Sequence, residues 1–130
     1  GEIPGEAVLT GTSGVEVLSA ARLSKEQTRA RNKETLLEII NSTELSDAQK
    51  QEAVDSMVRM TDIAEKEAAA EVLLQAKGFQ EAVVSINGDA VDVVINAAEL
   101  SDAQRAQIED IVKRKTDIAA ENIVISTIVQ

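Results

Sequence analysis

The chain has no cysteine and no histidine, and Phe79 is its one aromatic residue. Without thiolate or imidazole it lacks the usual zinc ligands, the Cys/His nucleophile pairs, and any side chain whose ordinary pKa lies near neutrality. A large share of enzyme chemistry is excluded on that ground. Proline occurs once, and only Gly78 and Gly88 lie beyond residue 14, so no glycine-rich phosphate loop of the GxGxxG or Walker type is present. No apolar run approaches the ~20 residues that span a bilayer, and no signal-peptide order opens the chain. A soluble chain is expected from these absences.

What is present is aliphatic and acidic. The hydrophobic share of 44% is almost wholly Ala, Val, Ile and Leu, and 130 residues are enough for one domain with its own core. Thirteen basic against 23 acidic side chains leave a net charge of −10, which repels nucleic acid and anionic lipid. The charge is uneven. Arg22, Lys25, Arg29, Arg31 and Lys33 stand together against Glu26 alone.

Residues 1–14 read as a flexible leader because they hold most of the glycine and the proline. A helix is expected over about 15–41, yet its centre, "SKEQTRARNKET", has no apolar stripe. A helix polar on all faces bridges solvent or is held by side-chain pairs. Its own i,i+4 pairs are mostly like-charged, Lys25 with Arg29 and Arg29 with Lys33. Two readings follow: a solvated continuation of the helix, or a protruding segment completed by an acidic partner or a neighbouring copy.

The stretch "ELSDAQ" occurs at 44–49 and again at 99–104, each followed by "TDIA" at the same distance. In both copies a Ser is followed three residues later by Gln, the capping box that starts a helix. The shared residues are a cap and a helix-end tetrapeptide, so the repeat marks two helix starts rather than a duplicated site. The first helix, about 46–77, has an expected apolar face of Ala53, Met57, Met60, Ala64, Ala68, Val72 and Leu73-Leu74. Gly78 suits the left-handed residue after its end, and Phe79 can fold back on Leu74 in a Schellman motif. Unbroken, it would be ~46 Å long. Either Thr61-Asp62 interrupts it, or its first half packs on the preceding helix as an antiparallel hairpin.

Asn87-Gly88 predicts a type I′ turn between strands at about 82–87 and 90–96. Pairing Ile86 with Asp89 puts Val84 opposite Val91, with Ala82, Val84, Ile86, Val91, Val93 and Ile95 on one buried face. Val83, Ser85, Asp92, Val94 and Asn96 share the other, expected to be solvated. A helix over about 101–115 offers Ala103, Ile108, Ile111 and Val112, and a strand over about 122–129 follows from its β-branched residues. Either Ile123 and Ile125 or Val124 and Ile128 face the core. The fold class is α+β: a long helical hairpin, then β-β-α-β, making a three-stranded mixed sheet with helices on one face and the last strand parallel to the second. Residues 15–130 form a single domain. Its carboxylates lack calcium-loop spacing, and no GXXG loop of the KH type is present, so no metal, cofactor or nucleic acid is expected.

Three stretches, "ARLSKEQTRARNKETLLEII", "EKEAAAEVLLQAKGFQEAVVSINGDAVDVVINAAELS" and "AQIEDIVKRKTDIAAENIVI", resemble the stage III sporulation protein AH family of endospore-forming bacteria. The most specific part is the helix end running into the hairpin, Glu71 through Val94. The resemblance implies a ring-building-motif domain similar to the ring lipoproteins of type III secretion systems. It further implies a membrane-anchored ectodomain in the mother-cell membrane around the forespore, facing the intermembrane space. Such a domain would bind stage II sporulation protein Q in a channel between the two cells, with self-association into a ring and contact with other channel components allowed. The anchoring helix is absent from this chain.

The expectation is therefore an assembly protein and not an enzyme. The candidate protein interface comprises Arg22, Lys25, Arg29, Arg31 and Lys33 on the basic stretch, and Val83, Asp92 and Val94 on the outer sheet face or its edge. The competing reading is a soluble acidic regulatory or ligand-binding domain. It requires a pocket with convergent polar groups.

Overall fold

The computed structural model describes residues 14–128. The expected leader, except Gly14, and the end of the last expected strand lie outside the described residues. Helix α1 runs Gly14–Ile40 and α2 runs Asp47–Ala76. Strands β1 (Ala82–Asn87) and β2 (Ala90–Ile95) follow, then α3 (Asp102–Thr116), a 3₁₀ turn (Ala120–Asn122) and β3 (Ile123–Thr127). The sheet order is β1-β2-β3, with β1 antiparallel and β3 parallel to β2, as the element order requires.

Both Ser caps form. Ser46 and Ser101 each accept from the Gln amide three residues on, at 3.2 and 3.1 Å, and each Gln side chain accepts from its Ser backbone in return. Helix α2 is unbroken through Thr61-Asp62 and packs on α1, so the hairpin alternative holds. It ends in the Schellman pattern. The Phe79 amide donates to the Leu74 carbonyl at 2.9 Å and the Gly78 amide to the Gln75 carbonyl at 3.1 Å, with Gly78 at φ +99°. A Cβ at Gly78 would meet nothing within 4 Å, so a side chain there costs only backbone strain. Gly78→Ala is expected to destabilise the domain by about 1–2 kcal/mol, the left-handed penalty, read as a lower urea midpoint with an unchanged slope.

The hairpin departs from expectation in register and turn. Ile86 pairs with Val91, Val84 with Val93 and Ala82 with Ile95, two residues from the register that an Asn87-Gly88 turn sets. The loop is Gly88-Asp89, and of these only Gly88 has positive φ, at +64°. That is the type II′ pattern, in which glycine takes the first central position; type I′ needs positive φ at both. A shift of two preserves the faces, because side chains alternate with period two.

The six expected inner residues are all buried, and Ile123 and Ile125 of β3 join them while Val124 is 52% exposed. Helix α3 contributes Ile108, Ile111 and Val112, whereas Ala103 is exposed. On α2 the expected Ala53 and Leu74 are buried, but the stripe between them differs from the expected one. Ala64, Ala68 and Val72 face solvent, and Glu67, Ala70 and Leu74 are buried, with Ile63 packed beside them. These four positions follow i, i+4, i+7, i+11, so a carboxylate occupies a core position. On the outer face Val83 is only 5% exposed, not solvated, while Asp92 is exposed and Val94 half-buried. Helices α2 and α3 cover the inner face; α1 meets the sheet at β1.

Candidate functional site

Strand β1 is a sheet edge, and the even residues of its ladder aim their backbone groups away from β2. Every one of the four groups centred on Val84 is taken by a charged side chain. Arg22 donates to the Ala82 carbonyl at 2.8 Å, and Lys25 donates to the Val84 carbonyl at 2.9 Å. The Val84 amide donates to Glu71 Oε2 at 2.8 Å, and the Ile86 amide to Glu67 Oε2 at 2.6 Å. Two cations on α1 and two carboxylates on α2 thus replace a fourth strand.

Glu67 is the hub. It is 3% exposed and binds the Arg29 guanidinium through both oxygens, one contact at 2.9 Å, and Lys25 Nζ at 3.3 Å. Arg22 stands 3.9 Å from Glu71. Burial pushes the Glu67 pKa up, but the Arg29 hydrogen bond, the Ile86 amide and the charges of Lys25 and Arg29 outweigh it and hold the carboxyl below its ordinary value. The Arg29 pKa rises, chiefly through the same bond.

A carboxylate with a depressed folded pKa contributes stability that is full above its unfolded pKa and lost as pH falls through the folded one. The stability gap between the native chain and Glu67→Gln is therefore expected to be constant above about pH 5 and to shrink below the ordinary glutamate value of about 4.3. Urea midpoints of both chains from pH 7 to pH 3 measure it. A gap that stays constant throughout rules out ionised Glu67 as the hub.

Of the basic stretch, Arg22, Lys25 and Arg29 turn inward onto this clamp, so the acidic partner of the polar helix is found within the same chain. Arg31 and Lys33 remain exposed, the Arg31 guanidinium donating to Thr28 Oγ1 at 3.3 Å within its own helix. Between α1 and α2 lies a cleft of about 550 Å³ whose floor includes Met57, Met60 and Ala64. The clamp residues form its wall, and their charges are engaged with one another or with the strand. Among the described residues no group of three acidic side chains is placed to hold a metal, and no helix is long and apolar enough to cross a membrane.

The opposite sheet edge is different. Alternation aims the backbone groups of Ile123, Ile125 and Thr127 away from β2, in agreement with the Ile128 amide bonding the Ile95 carbonyl at 3.0 Å. The Ile125 carbonyl receives only a 3.5 Å contact from Arg105. Val124 and Asp92 lie side by side on the exposed outer face, next to the row of Val94 and Ser126.

The sequence reading missed Glu67 and Glu71. A signal existed: Ile63, Ala70 and Leu74 are spaced as one helical stripe, and Glu67 falls inside it. A buried carboxylate in an apolar stripe requires partners, and the nearby unpaired cations are those of α1.

Comparison with known proteins places these features in a family context. A family model described as "SpoIIIAH-like protein" matches residues 5–125. The stage III sporulation protein AH of Bacillus subtilis (strain 168) is 26% identical over 108 residues, which cover 83% of this chain and 50% of that protein. The chain thus spans about half the length of that relative. A solved structure of the SpoIIQ–SpoIIIAH pore-forming complex contains a chain with the same fold, at a TM-score of 0.78 and 23% identity, covering 88% of this chain and 98% of that one.

Proposed function

Because the chain belongs to the SpoIIIAH-like protein family, we propose that it is the assembly domain of a sporulation channel between mother cell and forespore, without enzymatic activity of its own. Its partner in this reading is a SpoIIQ-type protein, which the related solved complex contains. The domain would face the intermembrane space from the mother-cell membrane, held by a segment outside this chain.

The observation that carries the reading is the asymmetry of the sheet. One edge is capped by charges, and the other presents backbone groups beside an exposed face. An open edge accepts an extended segment of a partner, with main-chain hydrogen bonds supplying affinity and alternate side chains specificity. The contact surface is therefore the β3 edge with Val124, Asp92 and Val94. Five of the charged groups that line the cleft, Arg22, Lys25, Arg29, Glu67 and Glu71, are by contrast bound to one another or to β1.

Hydrogen exchange of the purified domain with and without the SpoIIQ ectodomain of the same organism tests this. New protection is expected at Ile125 and Thr127. Binding that protects only the region of Arg31 and Lys33, and that is abolished by reversing those two charges, would move the contact to α1. Absence of any binding, with the fold intact, overturns the partner assignment.

A further inference from the structure

Helix α2 carries two apolar stripes. One, through Ile63, Ala70 and Leu74, faces the core. The other lies on the opposite side of the helix, where Val54, Thr61 and Ala68 repeat every seven residues beside a second row of Val58, Glu65 and Val72, all exposed. Helix α1 offers a matching row, Leu23, Ala30 and Leu37, also exposed. Ala30, Thr61, Glu65 and Ala68 line the cleft, so these rows are its two banks, on the face of the hairpin turned away from the sheet. Past Met57 the cleft continues into a hollow of about 540 Å³ against Ile40, Val54 and Val58. Five of the seven large apolar side chains exposed among the described residues stand on these banks. Such a concentration marks an interaction site, and rows spaced by seven suit a packed helix, whereas a strand would meet every second residue.

We infer that two copies of the chain pack together through this face, hairpin on hairpin, as an antiparallel four-helix bundle about a two-fold axis. A symmetry in the surface itself selects the occupant. Ala30 lies midway between Leu23 and Leu37, and the midpoint of Val54 and Val72 falls at Ile63. The two midpoints are level, because the clamp sets Arg22 beside Glu71 and both Lys25 and Arg29 beside Glu67. A two-fold axis across the hairpin at that level sets Leu23 on Leu37 of the second copy, Val54 on Val72 and Val58 on Ala68, with Glu65 beside Thr61. It also brings Glu26 of each copy next to Lys33 of the other. Among the described residues Glu26 and Lys33 have no ion pair of their own. One operation thus matches apolar rows on both helices and joins opposite charges, as an isologous contact requires. A surface for an unrelated helix need not be its own complement in this way. The banks are about 27 Å long and about 20 Å across two helices, so roughly 1,000 Å² is buried in all, the low end for a specific interface. The dimer is therefore concentration-dependent, and it closes at two.

Light scattering after gel filtration, from about 1 μM to about 1 mM, should show the native chain passing from monomer to dimer. Leu23→Gln/Val58→Gln changes two exposed positions, 54% and 63% accessible, that the fold does not need. It should raise the dissociation constant about tenfold or more through apolar area lost at the contact. Val124→Ser, on the outer face of β3, should leave the dimer unchanged, which separates this contact from the β3 surface. Because the chain has no cysteine, single cysteines read the arrangement. In the two-fold dimer the two copies of residue 54 stand about 27 Å apart, and each lies against residue 72 of the other copy. Val54→Cys and Val72→Cys chains treated with a short bismaleimide should therefore give little covalent dimer alone and should cross-link when mixed. A native chain that stays monomeric throughout leaves the groove to a helix of another protein and overturns the inference. So does a dimer unaffected by Leu23→Gln/Val58→Gln, or a mixture that links no faster than either cysteine variant alone.

Discussion

Glu67→Ala is expected to lower the unfolding free energy by about 3 kcal/mol, among the largest single-site losses in the domain, because breaking a buried ion pair from one side strands its partners. The substitution removes the acceptor of Arg29, 28% exposed, and of the Ile86 amide, and it takes the counter-charge from Lys25, 19% exposed, which keeps the Val84 carbonyl. The two cations can recover some hydration, which holds the loss near the lower end of the range for broken buried pairs. The amide lies in a covered edge, and an unsatisfied buried donor costs about 1–3 kcal/mol alone. Glu67→Gln keeps an oxygen for that amide and loses only the charge, so it should fall between the native chain and the alanine variant. For a domain of this size the alanine change corresponds to a fall in Tm of roughly 12 °C. Urea titration at pH 7 measures the order of the three chains, and a loss under about 1 kcal/mol for Glu67→Ala would mean that water replaces the clamp without penalty.

Leu74→Ala is expected to cost about 3 kcal/mol by a different route. Leu74 has 0% exposure and sits in the core cluster with Phe79, Val84, Val93 and Ile111. Truncating it removes apolar surface and leaves a cavity that neighbours only partly fill, which places such changes at about 2–5 kcal/mol. Val72→Ser, two residues earlier on the same helix, serves as the contrast. Val72 is 65% exposed, and substitutions at such positions usually stay within about 0.5 kcal/mol. Equal losses at the two sites would show that the buried stripe has been assigned to the wrong face of α2. The Leu74 loss should not depend on pH between 3 and 7 beyond the native baseline, whereas the Glu67 loss should. That difference separates packing from the ionic clamp.

The elements themselves were legible because their signals are local. A Ser with Gln three residues on forms its own cap, and Gly78-Phe79 ends α2 through bonds that span five residues. The inner face of the sheet was legible for a similar reason, since alternation survives an error of two in register. The register itself was not, because Asn87-Gly88 and Gly88-Asp89 both satisfy turn chemistry and pairing across the sheet selects between them. Within the candidate site the cations of α1 were visible as an unpaired run, and their role was not. Their partners lie 38 to 60 residues away on α2 and β1, and nothing local links them.

The repeated "TDIA" shows where the division falls. In both copies the Thr hydroxyl bonds the carbonyl four residues back, Thr61 to Met57 at 3.1 Å and Thr116 to Val112 at 2.6 Å. Yet Asp62 continues a helix, and Asp117 ends one in the left-handed conformation at φ +61°. The sequence by itself determined where the capped helices start, which strand residues face the core, and the acidic, cysteine-free and histidine-free character of the chain. Tertiary structure alone decided that α2 runs on through Asp62 to carry Glu67 beneath the β1 edge, and that α1 lies alongside to supply the cations. Caps and turns are closed by neighbours in sequence, whereas a buried charge is stabilised only when groups distant along the chain are brought within hydrogen-bond reach.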